Sequence, residues 1–100
     1  MEKRKSHYSL DRIKELVKAD RWKMTLTAER NAWEQFHLDA DGVKTVILGL
    51  KPGVFYKSMT TITDATLWQD VYHPVVGGKE AYVKLQIAEG NSVIIQFKEK

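Results

Sequence analysis

The residues best suited to chemistry are lysines, tyrosines and an amide that gather in the second half of the chain. Residues 55–61 read FYKSMTT, residues 68–72 read WQDVY, and the last four residues read FKEK. Cleavage of RNA by attack of the ribose 2′-hydroxyl needs a base for that hydroxyl, an acid for the leaving oxygen and cationic groups for the charged phosphorane. Lysine, tyrosine and glutamine can fill these roles together. The pattern therefore indicates a site for a phosphodiester.

The candidate chemistry depends on lysines that lie near one another. Like charge lowers the pKa of such a lysine, so that at neutral pH it can transfer a proton as well as hold one. Aromatic rings beside the amines can stack on bases, and an imidazole can contact phosphate. The candidate residues are Lys57, Gln69, Tyr82, Lys84 and Lys98, with Tyr56 and His73 nearby for stacking or phosphate contact.

Each of these residue types also has a purely structural explanation. Lysines on an open strand face usually keep a protein soluble. A tyrosine commonly packs its ring on the core and leaves its hydroxyl at the rim. Gln69 is an ordinary polar residue for a strand. The residues alone leave the catalytic and the structural interpretations open.

A metal centre is not indicated by the sequence. The chain has no cysteine, and His7, His37 and His73 are not spaced like metal ligands. The acidic pairs are better explained as helix caps and turn residues than as a two-metal site. No glycine-rich phosphate loop follows a strand. We expect neither a metal nor a cofactor.

The composition is that of one globular domain over residues 1–100. The net charge is +3 and the pI is near 9.2, a mild basic surplus that permits a polyanionic partner without requiring one. The basic start leads into polar residues rather than an apolar signal sequence. No apolar run approaches the roughly 20 residues that span a bilayer. These features predict a cytoplasmic protein that does not enter a membrane.

The first third of the chain predicts a helix and a short strand. Apolar residues recur at helical spacing over about residues 10–19, and Ser9 is a good N-cap for them. Residues 21–26 alternate polar and apolar side chains, so they predict a strand with Leu26 on its inward face.

Two more helices are expected before residue 51. Thr27 is the expected N-cap of the first, which ends near His37. Asp39 or Asp41 is the expected cap of the second, whose apolar stripe stops at Gly49.

The second half of the chain is dominated by strand patterns. Residues 51–59 are ambiguous, but the spacing of Phe55 and Met59 slightly favours a short helix after Pro52. From residue 67 the period is two, which predicts strands over residues 68–74, 81–88 and 93–98. Helices followed by an antiparallel sheet are typical of the α+β class.

The register of the last hairpin decides which polar side chains meet. A three-residue loop over residues 90–92 pairs Leu85 with Phe97 on the apolar face, whereas a two-residue loop at residues 90–91 mixes polar and apolar side chains. The three-residue loop is therefore the predicted one. It places Lys84 directly opposite Lys98, an unfavourable pairing, and Tyr82 diagonally from Lys98.

Several of these runs resemble the MqsR family, the motility quorum-sensing regulators, which are toxin ribonucleases of type II toxin–antitoxin systems. The resemblance covers nearly the whole chain, and the first half diverges most. The matching residues are MEKR at the start with His7, FYKSMTT at 55–61, WQDVY at 68–72, Pro74, Tyr82 with Lys84, and FKEK at the end.

The resemblance implies a RelE-like fold, in which helices pack on an antiparallel sheet. It also implies a metal-independent endoribonuclease that cuts free mRNA at short triplets of the GCU kind and so inhibits translation and growth. The family's active-site residues match Lys57, Gln69, Tyr82 and Lys98 in this sequence.

Tyr56 and Met59 match positions that contact RNA in the family resembled, and Lys84 is an expected substrate-binding residue. His73 departs from the pattern, because the corresponding family position is commonly arginine. A neutral imidazole holds phosphate less firmly than a guanidinium, so we expect altered rate, pH dependence or triplet preference.

The partners implied by the resemblance are mRNA and a cognate antitoxin. The antitoxin would be MqsA-like, zinc-binding and DNA-binding, and the chain would reach operator DNA only through it. The alternative is a non-catalytic RNA-binding or regulatory module that stacks on bases and neutralises phosphates without cutting them. A protein-interaction module would do neither.

Overall fold

The computed structural model describes all residues 1–100 and contains three α-helices and seven β-strands. The helices are α1 (Leu10–Lys18), α2 (Leu26–Phe36) and α3 (Ala40–Leu48). The strands are β1 (Glu2–Lys3), β2 (Trp22–Met24), β3 (Phe55–Thr60), β4 (Trp68–Tyr72), β5 (Val75–Val76), β6 (Lys79–Ala88) and β7 (Asn91–Glu99).

Each helix begins at a polar N-cap. The Ser9 hydroxyl accepts from the Arg12 backbone at 3.2 Å, and the Asp39 carboxylate accepts from the Gly42 backbone at 2.9 Å, so both predicted caps are confirmed. The longest helix, α2, has 11 residues, and no helix has the length and apolar character needed to cross a bilayer.

The predicted cap of α2 was wrong by two residues. Thr25 rather than Thr27 caps the helix, and its hydroxyl accepts from the Ala28 backbone at 3.1 Å. The same hydroxyl donates to the Ile95 carbonyl at 2.8 Å, so Thr25 ties the start of α2 to β7. Leu26 consequently lies in the helix with 79% of its surface exposed, and it is not an inward strand residue.

The main sheet has the strand order β1-β3-β4-β6-β7-β2, and β5 pairs separately with β6. All neighbours are antiparallel except β2 and β7, which run parallel. The helices come mainly from the first half of the chain and most strands from the second. The predicted α+β class is therefore confirmed, with one parallel pair that the sequence pattern did not indicate.

The helices cover one face of the sheet and bury its apolar side chains. Phe36 of α2 meets Phe97 of β7 edge to face, with ring centroids 5.5 Å apart. Ile13 and Val17 of α1 and Ile47 of α3 are fully buried in the same core. The other face of the sheet carries no helix, and the candidate residues lie there.

Residues 55–60 form a strand where the pattern slightly favoured a helix. A single 3₁₀ turn at Pro52–Val54 leads directly into β3, which pairs with β1 on one side and β4 on the other. Phe55 packs on Tyr72 at a centroid distance of 5.4 Å, whereas Met59 pairs with Gln69 on the open face. Backbone pairing on both edges outweighs the local helical spacing.

The predicted register of the β6–β7 hairpin was also wrong. Ala88 pairs with Asn91 across a two-residue turn, in which Glu89 (φ 52°) and Gly90 (φ 75°) both have left-handed backbone. Two such residues are typical of the type I′ turn that suits a twisted hairpin.

A β-bulge in the same hairpin decides the pairing at the site. The register shifts between Lys84 and Leu85, so that Lys84 pairs with Gln96 and Tyr82 pairs with Lys98. The predicted pairing of Lys84 with Lys98 is therefore wrong, and Tyr82 takes the place directly opposite Lys98.

Candidate functional site

The site lies on the sheet face that the helices leave open. Lys57, Val71 and Lys84 form one row across β3, β4 and β6, and Tyr82 pairs with Lys98 in a neighbouring position. Residues paired across neighbouring strands point to the same face. The sequence expectation that lysines and tyrosines from distant segments share one surface is met by this register.

A cavity of about 350 Å³ opens at one end of this face. Inside it the ring of Tyr56 stacks on that of His73, with centroids 4.4 Å apart and planes 22° apart. The Tyr82 ring lies 5.9 Å from His73 on the other side. Its lining consists of Tyr56, Lys57, His73, Tyr82 and Lys100. The walls are thus aromatic, with two amines at the edges.

Two further amines lie against the half-buried Tyr82 ring. The Lys98 Nζ is 5.3 Å and the Lys84 Nζ 5.8 Å from the ring centroid, distances at which a cation interacts with an aromatic face. Burial raises the pKa of the Tyr82 hydroxyl, and the charge of Lys57 partly opposes this. Tyr82 therefore keeps its proton at neutral pH and can donate it.

Lys84 is the amine whose pKa is lowered. Partial burial is the main cause, and the charges of Lys98 and Lys57 add to it. The expectation that one lysine among others loses proton affinity thus applies to Lys84. It stands at the rim of the cavity and does not line it.

Lys57 is held by a carboxylate that the sequence interpretation did not include. Its Nζ donates to Glu2 Oε2 at 2.6 Å, and only 17% of the Lys57 side chain is exposed. This hydrogen bond raises the pKa of Lys57 and lowers the pKa of Glu2. Lys57 therefore remains a cation at neutral pH and is suited to binding phosphate.

Arg4 supplies a guanidinium at the same edge of the site. Its charge centre lies 5.5 Å from the Tyr56 ring, and its Nη1 donates to the Tyr56 carbonyl at 3.5 Å. The segment that carries it is anchored by buried Asp70, whose carboxylate accepts from the backbone of His7 at 3.0 Å and of Tyr8 at 2.9 Å. Asp70 thereby holds the first residues beside β3.

His73 lines the cavity between Tyr56 and Tyr82. Its backbone nitrogen donates to the Val54 carbonyl at 2.8 Å, while its Nε2 is buried without a hydrogen-bond partner. Burial lowers the pKa of the imidazole, the charge of Lys100 lowers it further, and Glu80 opposes the shift. The ring is therefore neutral at pH 7.

Gln69 and Met59 lie opposite each other on β4 and β3, outside the cavity lining. Gln69 is 8% exposed, and its Nε2 donates to Gln86 Oε1 at 2.9 Å, which fixes the amide. The structure thus brings Lys57, Tyr82 and His73 together at the cavity and sets Gln69 farther along the same face.

Three residues beside the site were not among the sequence candidates: Glu2, Arg4 and Lys100. Period-two alternation beyond Lys98 would have placed Lys100 on the same face. β1 has only two residues, too few for a periodic pattern, so for Glu2 and Arg4 the available signal was the MEKR run of the family resemblance. No three His, Asp or Glu side chains gather as metal ligands anywhere in the chain.

Comparison with known proteins gives two matches. The family model described as "Motility quorum-sensing regulator, toxin of MqsA" matches residues 5–99. The chain is also 44% identical to the mRNA interferase toxin MqsR of Escherichia coli (strain K12), over the whole length of both chains. The resemblance carried by the FYKSMTT and WQDVY runs is confirmed. The chain belongs to the family of motility quorum-sensing regulators that are toxins of MqsA.

Proposed function

We propose that this protein is the toxin of a type II toxin–antitoxin system and an endoribonuclease that cuts free mRNA, inhibiting translation and growth. Its family and its similarity to a protein named an mRNA interferase support the proposal. The observation that carries it is the set of three amines beside an aromatic cavity: Lys84 and Lys98 lie over the Tyr82 ring, and Lys57 lies over the Tyr56 ring. That surface suits a phosphodiester flanked by bases.

The proposed reaction is attack of the ribose 2′-oxygen on the neighbouring phosphorus. The O2′–P bond forms and the P–O5′ bond breaks, which leaves a 2′,3′-cyclic phosphate and a new 5′-hydroxyl. Lys57, whose pKa is raised by its hydrogen bond with Glu2, stabilises the phosphorane charge together with Lys98, whose amine lies over the Tyr82 ring. Tyr82 gives the proton to the leaving O5′, consistent with its raised pKa.

Substrate binding is assigned to the residues around these groups. The paired rings of Tyr56 and His73 stack on a base. Lys84 contacts a neighbouring phosphate, and Met59 contacts the RNA strand. Gln69, fixed by Gln86, orients the ribose or base through its amide. We further propose short GCU-like triplets as the cleavage sites, and a reaction that needs no metal because amines and a phenol supply the charge and the proton.

The proposed partner is a cognate antitoxin that is MqsA-like and binds zinc and DNA. The family description supports an antitoxin partner, since it names these proteins as toxins of MqsA. We propose that operator DNA is contacted only through that partner, that residues 1–100 act as one RelE-like domain, and that the protein works in the cytoplasm, where free mRNA is found.

Cleavage of RNA in EDTA tests the proposal. Purified protein should generate new 5′-hydroxyl ends, and Lys98→Ala and Tyr82→Phe should each lower the rate about 10²-fold or more. Lys18→Ala is the matched control, because Lys18 is an exposed residue at the end of α1, on the helical side of the sheet. Cleavage that occurs without EDTA and is lost when EDTA is added would contradict metal independence.

A non-catalytic RNA-binding module predicts a different result. It would bind RNA with a log–log salt slope of about −0.7 per phosphate contacted on a single strand, and it would produce no new ends. Intact RNA in every sequence context, together with such a slope, would favour that alternative.

A further inference from the structure

The roles assigned so far leave the 2′-hydroxyl proton without an acceptor, and the cavity contains one side chain suited to take it. We propose that His73 is the general base of this enzyme and accepts the ribose 2′-hydroxyl proton at its Nδ1. The inference rests on the proposed ribonuclease activity and deepens it.

The position of the ring supports this role. His73 lines the cavity between Tyr56, at 4.4 Å, and Tyr82, at 5.9 Å. Its Nε2 is enclosed by protein without a partner, while Nδ1 makes no hydrogen bond and is not enclosed. A base must lie within hydrogen-bond reach of its substrate proton, and Nδ1 is the nitrogen that a bound ribose could reach.

The other groups at the site are less suited to accept a proton. Lys57 is committed as a donor to Glu2, and Tyr82 retains its own proton at neutral pH. Lys84 and Lys98 stand outside the cavity lining. A neutral imidazole, by contrast, has a free lone pair at pH 7.

The titratable groups that face His73 come from three parts of the chain. Lys57 and Tyr56 lie on β3, Tyr82 and Glu80 on β6, and Lys100 directly after β7. Lys100 disfavours the imidazolium, whereas Glu80, which accepts from Lys100 Nζ at 3.0 Å, favours it. Burial disfavours it most, so the ring stays neutral and open to a proton until the pH falls below 6.5.

The proton balance of the step is complete. The 2′-hydroxyl proton passes to His73 Nδ1 as the O2′–P bond forms, and Tyr82 protonates O5′ as the P–O5′ bond breaks. Return of a proton from imidazolium to tyrosinate, through water in the cavity, resets both groups. No oxidant, reductant or additional reactant is needed.

The test compares single-turnover cleavage by the unaltered protein, His73→Gln and His73→Arg between pH 5 and 8. The unaltered protein should lose rate tenfold per pH unit below the imidazole pKa, which lies under 6.5. Both variants should be about 10²-fold slower at pH 7.5, and both should lack this fall in rate at low pH, the acidic limb of the pH–rate profile. His37→Asn, at the left-handed C-cap of α2, is the matched control and should keep the rate and the limb.

The His73→Arg variant distinguishes a general base from a group that only binds phosphate, because arginine binds phosphate more firmly than histidine and cannot accept a proton. A His73→Arg rate equal to or above that of the unaltered protein would overturn the proposal. Imidazole added to His73→Ala should restore part of the cleavage, with a rate that falls as the added imidazole becomes protonated, and absence of rescue would also count against the proposal. If the unaltered protein leaves RNA intact, the proposed function falls and this base with it.

Discussion

The Glu2 carboxylate of β1 accepts a hydrogen bond from Lys57 of β3 at 2.6 Å, so the first strand positions a lysine of the candidate site. Glu2→Gln removes the negative charge and releases the Lys57 amine. We expect RNA to bind more tightly, because the site becomes more cationic, and to be cut about tenfold more slowly, because the amine is no longer fixed. KM and kcat should therefore fall together.

Binding of a 2′-deoxy substrate analogue, measured beside cleavage of the ribose substrate, separates the two effects. Glu2→Asp keeps the charge at a shorter reach and should restore part of the rate. A Glu2→Gln protein with unchanged kcat would show that the ion pair does not position Lys57.

Lys84 is expected to favour activity at a cost in stability. Burial lowers the pKa of Lys84, so the charged amine destabilises the folded state. This loss of folding stability is present in full at neutral pH, and it disappears as the pH rises above the ordinary lysine pKa of 10.5. Lys84→Met should raise the thermal midpoint at pH 7 and weaken RNA binding. The salt slope should become shallower by about 0.7. Thermal unfolding at pH 7 and pH 10 checks this, because the increase in thermal midpoint caused by Lys84→Met should be smaller at pH 10.

Asp70 is expected to support the site through the first residues of the chain. Its fully buried carboxylate accepts from the backbone of His7 and Tyr8. Asp70→Asn turns one acceptor into a donor, so we expect a loss of about 2–3 kcal/mol in urea unfolding. Cleavage should also slow where the protein is still folded, because Glu2 and Arg4 lose their anchor. Asp41→Asn, on the exposed surface of α3, should change stability by less than about 0.5 kcal/mol.

The β6–β7 turn offers a test in which stability changes and chemistry does not. Glu89 has a φ of 52°, which asparagine tolerates better than glutamate. Glu89→Asn should stabilise the protein by about 0.5–1 kcal/mol and leave cleavage unchanged. Gly90→Ala should destabilise it by about 1–2 kcal/mol, since φ is 75° and a Cβ would meet an Arg21 side-chain nitrogen at 2.9 Å. A Gly90→Ala protein that is more stable than the Glu89→Asn protein would exclude the observed turn.

Local signals predicted the helices well, because caps and apolar spacing are set by residues within one or two turns. Ser9 and Asp39 cap α1 and α3 as expected, and Ile13 and Val17 are buried. β3 was missed because its strand conformation comes from partners at both edges, which lie far away in the sequence.

The composition of the site could be predicted more fully than its geometry. Tyr82 and Lys98 were expected on one face, but the bulge after Lys84 changes which residues pair, and no turn or periodicity signal reveals a bulge. Lys100 was missed although strand alternation beyond Lys98 could have indicated it, whereas the Glu2 contact depends on β1, whose position is fixed by pairing with β3 and by Asp70.

The parallel pairing of β2 with β7 and the contact of Glu2 with Lys57 have a consequence for synthesis on the ribosome. Residues near position 2 meet a sheet that is complete only once β7 has been translated, and β7 also carries Lys98 and supports the end of β2. Contacts of such long sequence separation form late. A nascent chain therefore cannot assemble the site until β7 has been translated.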